Sequence, residues 1–252
     1  MFSKVFIAWR KDYGEKIVLR VCELLRQRGI EYAFDEPQDC DLAIMVGGDG
    51  TLLKYQASLE CPMLGINPGK SVGYYMSARG SDFEKKLRKL LEGEEGKAYF
   101  VKDFTRLEAG INKTPLPFLS LNEVLVSPIY VRRIFESTLS AKGRRSEERN
   151  SGMLVYTASG SHAYAGSAGA RTFDEGSKFG VAAIAPYSGR LKRGELMLAK
   201  GQVSIKCLND EGDVCIDGQE EQVCRLKKGD SVTVKKSPKP AKIIFFGKAA
   251  RG

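Results

Sequence analysis

The sequence predicts an α/β domain with a parallel sheet followed by an all-β layered domain, and three observations carry that expectation. Short apolar runs alternate with helical periodicity up to about residue 97. Beyond it, β-type runs succeed one another with turns between them. Apolar residues make up 42% of the 252, enough to bury cores and too many for a disordered chain. Val5, Phe6 and Ile7 mark the first strand over residues 4–9, and Ile17, Val21, Leu24 and Leu25 then recur at helical spacing until Gly29. A strand at 31–34 precedes Leu42-Ala43-Ile44-Met45-Val46, a continuous apolar run of the kind covered on both faces, which stops at Gly47-Gly48. A helix over 52–59 and a strand over 63–66 follow. Ser81-Asp82-Phe83-Glu84 reads as a capping box opening a helix over 82–91 that Gly93 can end.

The β-type runs fall at 98–101, 106–111, 118–126, 134–139, 153–157, 180–185, 203–208, 214–216, 223–226 and 231–235. The expected division is therefore 1–97, 98–236 and a closing segment, 237–252, whose run at 243–246 is a candidate to return to the first domain. No internal repeat or low-complexity tract interrupts this order. Phe118, Phe135, Phe173 and Phe179 are expected to fill the β-domain core. The mixed-sign cluster from Lys142 through Arg144, Arg145, Glu147, Glu148 and Arg149 reads as a solvated loop.

Composition narrows the function. No stretch approaches the roughly 18 apolar residues of a membrane span, and the N-terminus lacks a signal-peptide pattern, so a cytoplasmic location is expected. The six cysteines contain no C-x-x-C and no partnering histidines, which argues against zinc and leaves them as small buried hydrophobes. Lys and Arg outnumber Asp and Glu by 40 to 31, a formal charge of +9 that suits either nucleic acid or phosphate-rich small molecules. Nucleic acid is the weaker reading, because the positive charge is spread along the chain with no reader motif.

The most informative segment is Gly47-Gly48-Asp49-Gly50-Thr51, between a buried strand and a helix. Glycines there permit close approach of backbone to phosphate, and ligands of open parallel sheets sit at the carboxyl ends of strands. The segment is neither a Walker A loop nor a G-x-G-x-x-G fingerprint. An aspartate in a phosphate cradle repels the phosphate itself, but it suits a base that takes the proton of a hydroxyl attacking a phosphoryl group. The competing reading is a tight turn with Asp49 as a helix cap.

At this point the sequence resembles the NAD kinase family, through five motifs in order. Gly47-Gly48-Asp49-Gly50-Thr51 is similar to its GGDGT motif, and Asn67-Pro68-Gly69-Lys70-Ser71-Val72-Gly73-Tyr74 to its N-x-G-x-x-G-[FY] loop. Asn122-Glu123 resembles the NE pair, the segment from Thr157 through Ser159 to Tyr164 the T-P-T-G-S-T-A-Y stretch, and Asp217-Gly218-Gln219 the D-G-Q turn. The resemblance implies an N-terminal α/β domain with a C-terminal β-sandwich. It also implies transfer of the ATP γ-phosphoryl to the 2′-hydroxyl of the adenosine ribose of NAD, with Mg²⁺ or another divalent cation accompanying ATP, in a homodimer or homotetramer.

Under that resemblance Asp49 is the base, Gly50 lies against the substrate, and Lys54 offers charge to phosphate. Asn122 and Glu123 hydrogen-bond a ribose or the adenine edge. Tyr74 and Tyr164 flank flat rings, while Ser159, His162, Ala163, Ala165, Gly166 and Ser167 wall the nucleotide pocket and Gln219 completes the late turn. Arg133 and Arg149 go to substrate phosphates. The sequence departs from the family pattern in three places: Ser151 stands before Gly152 where the family usually has Asp, Ala158 replaces proline, and His162 replaces threonine. A threonine position points to hydrogen bonding rather than titration for His162, the only histidine. Two alternatives remain at this level: a related kinase acting on a lipid or sugar hydroxyl, and a non-catalytic NAD or NADP sensor.

Overall fold

A computed structural model describes residues 2–12, 14–34, 37, 39–69, 73–130 and 132–247. The chain divides into two compact units, Met1–Asp103 with Ala241–Gly252, and Phe104–Pro240.

The first unit is built from β1 (Lys4–Trp9), α1 (Glu15–Arg26), β2 (Glu31–Ala33), β3 (Leu42–Val46), α2 (Asp49–Tyr55), β4 (Met63–Asn67), β5 (Ala78–Arg79), α3 (Phe83–Glu92) and β6 (Phe100–Phe104). With the C-terminal strand Ala241–Phe245 they form a seven-stranded sheet ordered β2, β1, β3, β4, C-terminal strand, β6, with β5 beside β4. The returning strand pairs parallel with β4 through Ile243 and Met63. Every residue of β3 and β4 is buried, as covered parallel strands require. Their parallel register, Ala43 opposite Met63 through Val46 opposite Ile66, brings the two carboxyl ends side by side. Gly47-Gly48-Asp49 leaves one end and Pro68-Gly69 the other.

Helix α1 packs Val18, Val21, Cys22, Leu24 and Leu25 inward, and Gly29 turns the chain afterwards at φ +66°. The helix expected at 52–59 instead begins at Asp49, capped by the extended Gly48, and gives way at Gln56 to a 3₁₀ turn. The capping box does not form. Asp82, not Ser81, occupies the N-cap, its carboxylate accepting the Arg79 N–H at 2.7 Å and pairing with Lys86 at 2.8 Å. Glu84 is drawn to Arg20 of α1 at 2.9 Å and cannot reach back to the cap. The loop residues Lys70, Ser71 and Val72 lie outside the described residues.

The second unit is all β but for short helical turns: β7 (Leu107–Ile111), β8 (Thr114–Ser120), β9 (Glu123–Pro128), β10 (Phe135–Ala141), β11 (Arg144–Asn150), β12 (Gly152–Tyr156), α4 (Tyr164–Ser167), β13 (Phe179–Ile184), β14 (Met197–Ala199), β15 (Val203–Cys207), β16 (Glu211–Ile216), β17 (Val223–Lys227) and β18 (Ser231–Lys236). Two six-stranded sheets result, β11-β10-β15-β18-β7-β8 and β14-β13-β12-β9-β16-β17. Both contribute to one apolar cluster, Leu107, Leu139, Ile205 and Val232 from the first and Val126, Val155, Val181 and Val214 from the second, so the unit is a β-sandwich. Phe135 and Phe179 are fully buried in it, whereas Phe118 packs at its margin and Phe173 lies edge-on to Tyr156.

Two expectations change here. The charged cluster at 142–149 is not a loop but strand β11, antiparallel to β10 from Arg144 opposite Ala141 to Asn150 opposite Phe135. Lys142 and Gly143, at φ +54° and +69°, make the hairpin turn. Charge is compatible with a strand at the edge of a sheet, where one face meets water and the outer rim must not pair with another chain. The single run at 118–126 is two strands, broken at Leu121-Asn122. A buried aspartate makes that break.

Candidate active site

In the first unit the site begins where β3 ends. Gly47 passes so close to Thr51 that any Cβ there would overlap the threonine hydroxyl, which is why the turn needs glycine. Asp49 is the first residue of α2, and each of its carboxylate oxygens accepts one backbone N–H: Oδ2 from Tyr74 at 2.7 Å and Oδ1 from Tyr75 at 3.0 Å. The carboxylate is thus aimed by the loop that follows β4. It remains half-buried, and a carboxylate oxygen that accepts one N–H has lone-pair capacity for a further proton donor. Gly73 allows that approach, since a Cβ there would crowd both Met76 and Asp49 Oδ1. Gly50 is exposed beside Asp49, and Lys54 is exposed on the last turn of α2. Tyr74 is 45% exposed and meets the buried Tyr75 edge-on, with ring centroids 5.1 Å apart.

In the second unit the centre is Asp217, the first residue of the D-G-Q turn and not among the expected site residues. It sits at φ +51° with Gly218 at +64°, a turn that bends its carboxylate back beneath the break between β8 and β9. There it accepts the Ser120 hydroxyl at 2.7 Å and the N–H groups of Leu121, Asn122 and Glu123 at 2.8, 2.8 and 3.1 Å. The available signal was the Asp-Gly pair after a strand, which marks a left-handed turn but not what its side chain holds. From the other side Thr157 fastens the same turn: its hydroxyl donates to the Leu121 carbonyl at 2.6 Å and its N–H to the Asn122 carbonyl at 2.9 Å. Ser159 joins through the Thr157 hydroxyl at 3.0 Å. Gly160 lies against this backbone, where any Cβ would overlap the Asn122 carbonyl.

Asn122 and Glu123 are consequently held as one rigid pair. Glu123 is 5% exposed, and its Oε2 has no hydrogen-bond partner among the described residues. Burial, reinforced by the negative charge of Asp217, pushes its carboxyl up to about 8, so it carries a proton at neutral pH. Burial also raises Asp217, to about 6, against the downward pull of the N–H groups and hydroxyl that it accepts. The pair therefore presents an amide and a neutral carboxylic acid, which together offer donors and acceptors to the hydroxyls and ring nitrogens of a nucleoside.

Around this pair the following segment forms a 3₁₀ turn, Gly160–His162, and the short α4. His162, Tyr164 and Ser167 are exposed, Tyr164 by 47%, while Ala163 and Gly166 are half-buried and Ala165 is buried. Gln219 is half-buried, its amide donating to the Asp217 carbonyl at 3.2 Å. The arginines belong to a different cluster. Arg149 pairs with Glu136 across the β10–β11 hairpin at 3.0 Å and lies over the Tyr187 ring. Arg133 lies over the Tyr130 ring and, with Glu136, Asn209 and Lys228, lines a cavity of about 220 Å³. Ser151 is exposed between β11 and β12, its N–H donating to the Ile184 carbonyl. Among the described residues no group of three or more His, Cys, Asp or Glu side chains could hold a metal ion, and no helix is long and apolar enough to cross a membrane.

The ATP-NAD kinase N-terminal domain matches residues 14–95, and the ATP-NAD kinase C-terminal domain matches residues 106–246. An NAD kinase of Carboxydothermus hydrogenoformans is 32% identical over 221 residues, covering 83% of this chain and 76% of the relative. One of Treponema denticola is 31% identical over 261 residues, covering 95% and 89%. Among solved structures, an NAD kinase from Archaeoglobus fulgidus in complex with ATP is similar with a TM-score of 0.78 and 26% identity, over 97% of this chain and 94% of that one. The yeast NADH kinase complexed with NADH shares the fold, with a TM-score of 0.79 at 17% identity over 98% and 84%. The chain belongs to the NAD kinase family.

Proposed function

We propose that this chain phosphorylates the 2′-hydroxyl of the adenosine ribose of NAD with ATP, giving NADP. The observation that carries the reading is the Asp49 carboxylate, aimed by the Tyr74 and Tyr75 N–H groups at the carboxyl ends of two buried parallel strands, in a chain of this family. Asp49 takes the proton of the 2′-hydroxyl as that oxygen bonds to the γ-phosphorus. The bond from phosphorus to the β,γ-bridging oxygen breaks, and ADP leaves. Lys54 places positive charge for the phosphates, and the glycines of the turn let them approach the backbone. Asn122 and the protonated Glu123 hold the ribose or the adenine edge, with Tyr74 and Tyr164 against flat rings and residues from Ser159 to Ser167 as the wall. Asp217 acts through Asn122 and Glu123 as a positioning residue, and Gln219 braces it. Arg133, Arg149 and Ser151 are assigned to the outer, phosphate- and nicotinamide-facing part of the substrate.

A divalent cation accompanies ATP, with its ligands mostly on the phosphates. When present, it neutralises triphosphate charge. A cytoplasmic homodimer or homotetramer is the expected state, which light scattering of the purified chain checks. The deciding assay supplies ATP, Mg²⁺ and NAD and reads NADP with an NADP-specific dehydrogenase. Steady NADP formation is expected. Calorimetric binding of NAD with no phosphoryl transfer from ATP would instead identify a sensor, and turnover of sphingosine or fructose 6-phosphate in its place would identify a different hydroxyl substrate.

A further inference from the structure

The cysteines do not behave as one class. Cys22 and Cys207 are buried, as small apolar residues are, but Cys40, Cys61, Cys215 and Cys224 are only half-buried. Two of these face each other: Cys40 Sγ lies 3.3 Å from Cys61 Sγ. Cys40 stands two residues before β3 and Cys61 two residues before β4, so the contact ties the entrances of neighbouring parallel strands. Between them lie all of β3, the glycine turn with Asp49, and α2. The pair therefore brackets the whole segment that carries the candidate base.

We propose that Cys40 and Cys61 are a modification site, a dithiol that closes reversibly to a disulfide when it meets a low-molecular-weight disulfide such as oxidised glutathione. The Cys40 thiolate attacks one sulfur of that disulfide, the S–S bond breaks, and one thiolate leaves with the electron pair and takes up a proton. The Cys61 thiolate then attacks Cys40 Sγ and expels the second thiol. Two protein thiols are oxidised to one cystine, and one external disulfide is reduced to two thiols. Burial, together with the hydrogen bond and charge of Cys40, holds the Cys61 thiol above its ordinary value. That makes Cys61 a slow nucleophile towards external reagents and suits it to the second step, where proximity raises its effective concentration.

The test uses the native full-length chain, equilibrated with defined ratios of oxidised to reduced glutathione, quenched with acid, alkylated and digested with trypsin. Cleavage after Arg28, Lys54 and Lys70 separates the two cysteines into peptides 29–54 and 55–70. The expected result is a disulfide-linked pair of these peptides that disappears on reduction, while Cys22 and Cys207 stay as free thiols. In Cys61→Ser, Cys40 should accumulate instead as its mixed disulfide with glutathione. The proposal is overturned if both thiols remain alkylatable in excess oxidised glutathione, or if both end as separate mixed disulfides. It is equally overturned if the link forms only together with reaction of Cys22 and Cys207, because the bond then belongs to an opened chain.

Discussion

Asp49 and Asp217 each gather the backbone N–H groups of a neighbouring loop onto one carboxylate, yet their surroundings differ. Among the described residues Asp49 accepts two N–H groups, one on each oxygen, and is half-buried. Asp217 accepts three N–H groups and a hydroxyl and is buried, so its carboxylate is turned to the protein rather than to solvent. The same residue type thus becomes reagent in one unit and scaffold in the other. Burial separates the two roles: a general base needs an oxygen that a substrate can reach, and a clamp does not.

That contrast breaks most sharply at the clamp. Asp217→Ala leaves four buried donors without an acceptor and is expected to destabilise the fold by about 3–5 kcal/mol, read by urea denaturation. Asp217→Asn keeps an oxygen and should lose clearly less. Asp49→Asn is expected to change denaturation little and to lower kcat by about 10²–10⁴, the usual range for a general base. If Asp49→Asn unfolds readily while Asp217→Ala keeps its stability and loses only turnover, the assignment of roles is reversed.

The buried acid also predicts a pH dependence. In the unfolded chain Glu123 loses its proton near its ordinary value of 4.5, whereas the folded chain keeps it to about 8. Between those values the folded state binds more protons, so stability falls as pH rises, by up to about 1.4 kcal/mol per pH unit. Asp217 adds a loss of the same sign over the narrower window from 3.8 to about 6. Glu123→Gln should flatten the stability profile above pH 6 and raise the unfolding midpoint at pH 8 relative to the parent. Thermal melts at pH 6, 7 and 8 check it, and an unchanged slope would show that Glu123 ionises freely in the fold.

The smallest effect belongs to Arg149. Its ion pair with Glu136 is nearly half exposed on both sides, and such pairs contribute roughly 0–1 kcal/mol. Arg149→Lys should leave stability within about 0.5 kcal/mol. If the guanidinium also meets a substrate phosphate, KM for NAD rises with kcat nearly unchanged, because Lys cannot reproduce a two-pronged contact.

Much of the first unit was legible in the sequence because its signals are local. The apolar run Leu42 to Val46 ending on two glycines required a covered strand and a turn, and strand β3 with Gly47 and Gly48 is what the chain forms. Local signals misled where a distant partner competed. Ser81 and Glu84 have capping-box spacing, but Arg20 of α1 takes the glutamate. The charges of 144–149 read as solvent-facing, which they mostly are, yet a Lys-Gly turn folds them back as an edge strand against β10. Glu148 within that strand is buried, accepting the N–H groups of Arg190 and Leu191, and nothing near it in the sequence announces those partners.

The sequence by itself determined the alternation of strands and helices in the first unit, the glycine turn with an acid in it, and the family to which the motifs point. These depend on periodicity, on the conformational freedom of glycine and on side-chain chemistry, all of which act over a few residues. Tertiary structure alone decided that Tyr74 and Tyr75 aim Asp49, that Asp217 clamps a turn some 95 residues before it, and that Cys40 meets Cys61. Hydrogen bonds are short-ranged and directional, so who bonds whom is settled only when the sheet register brings separated segments together.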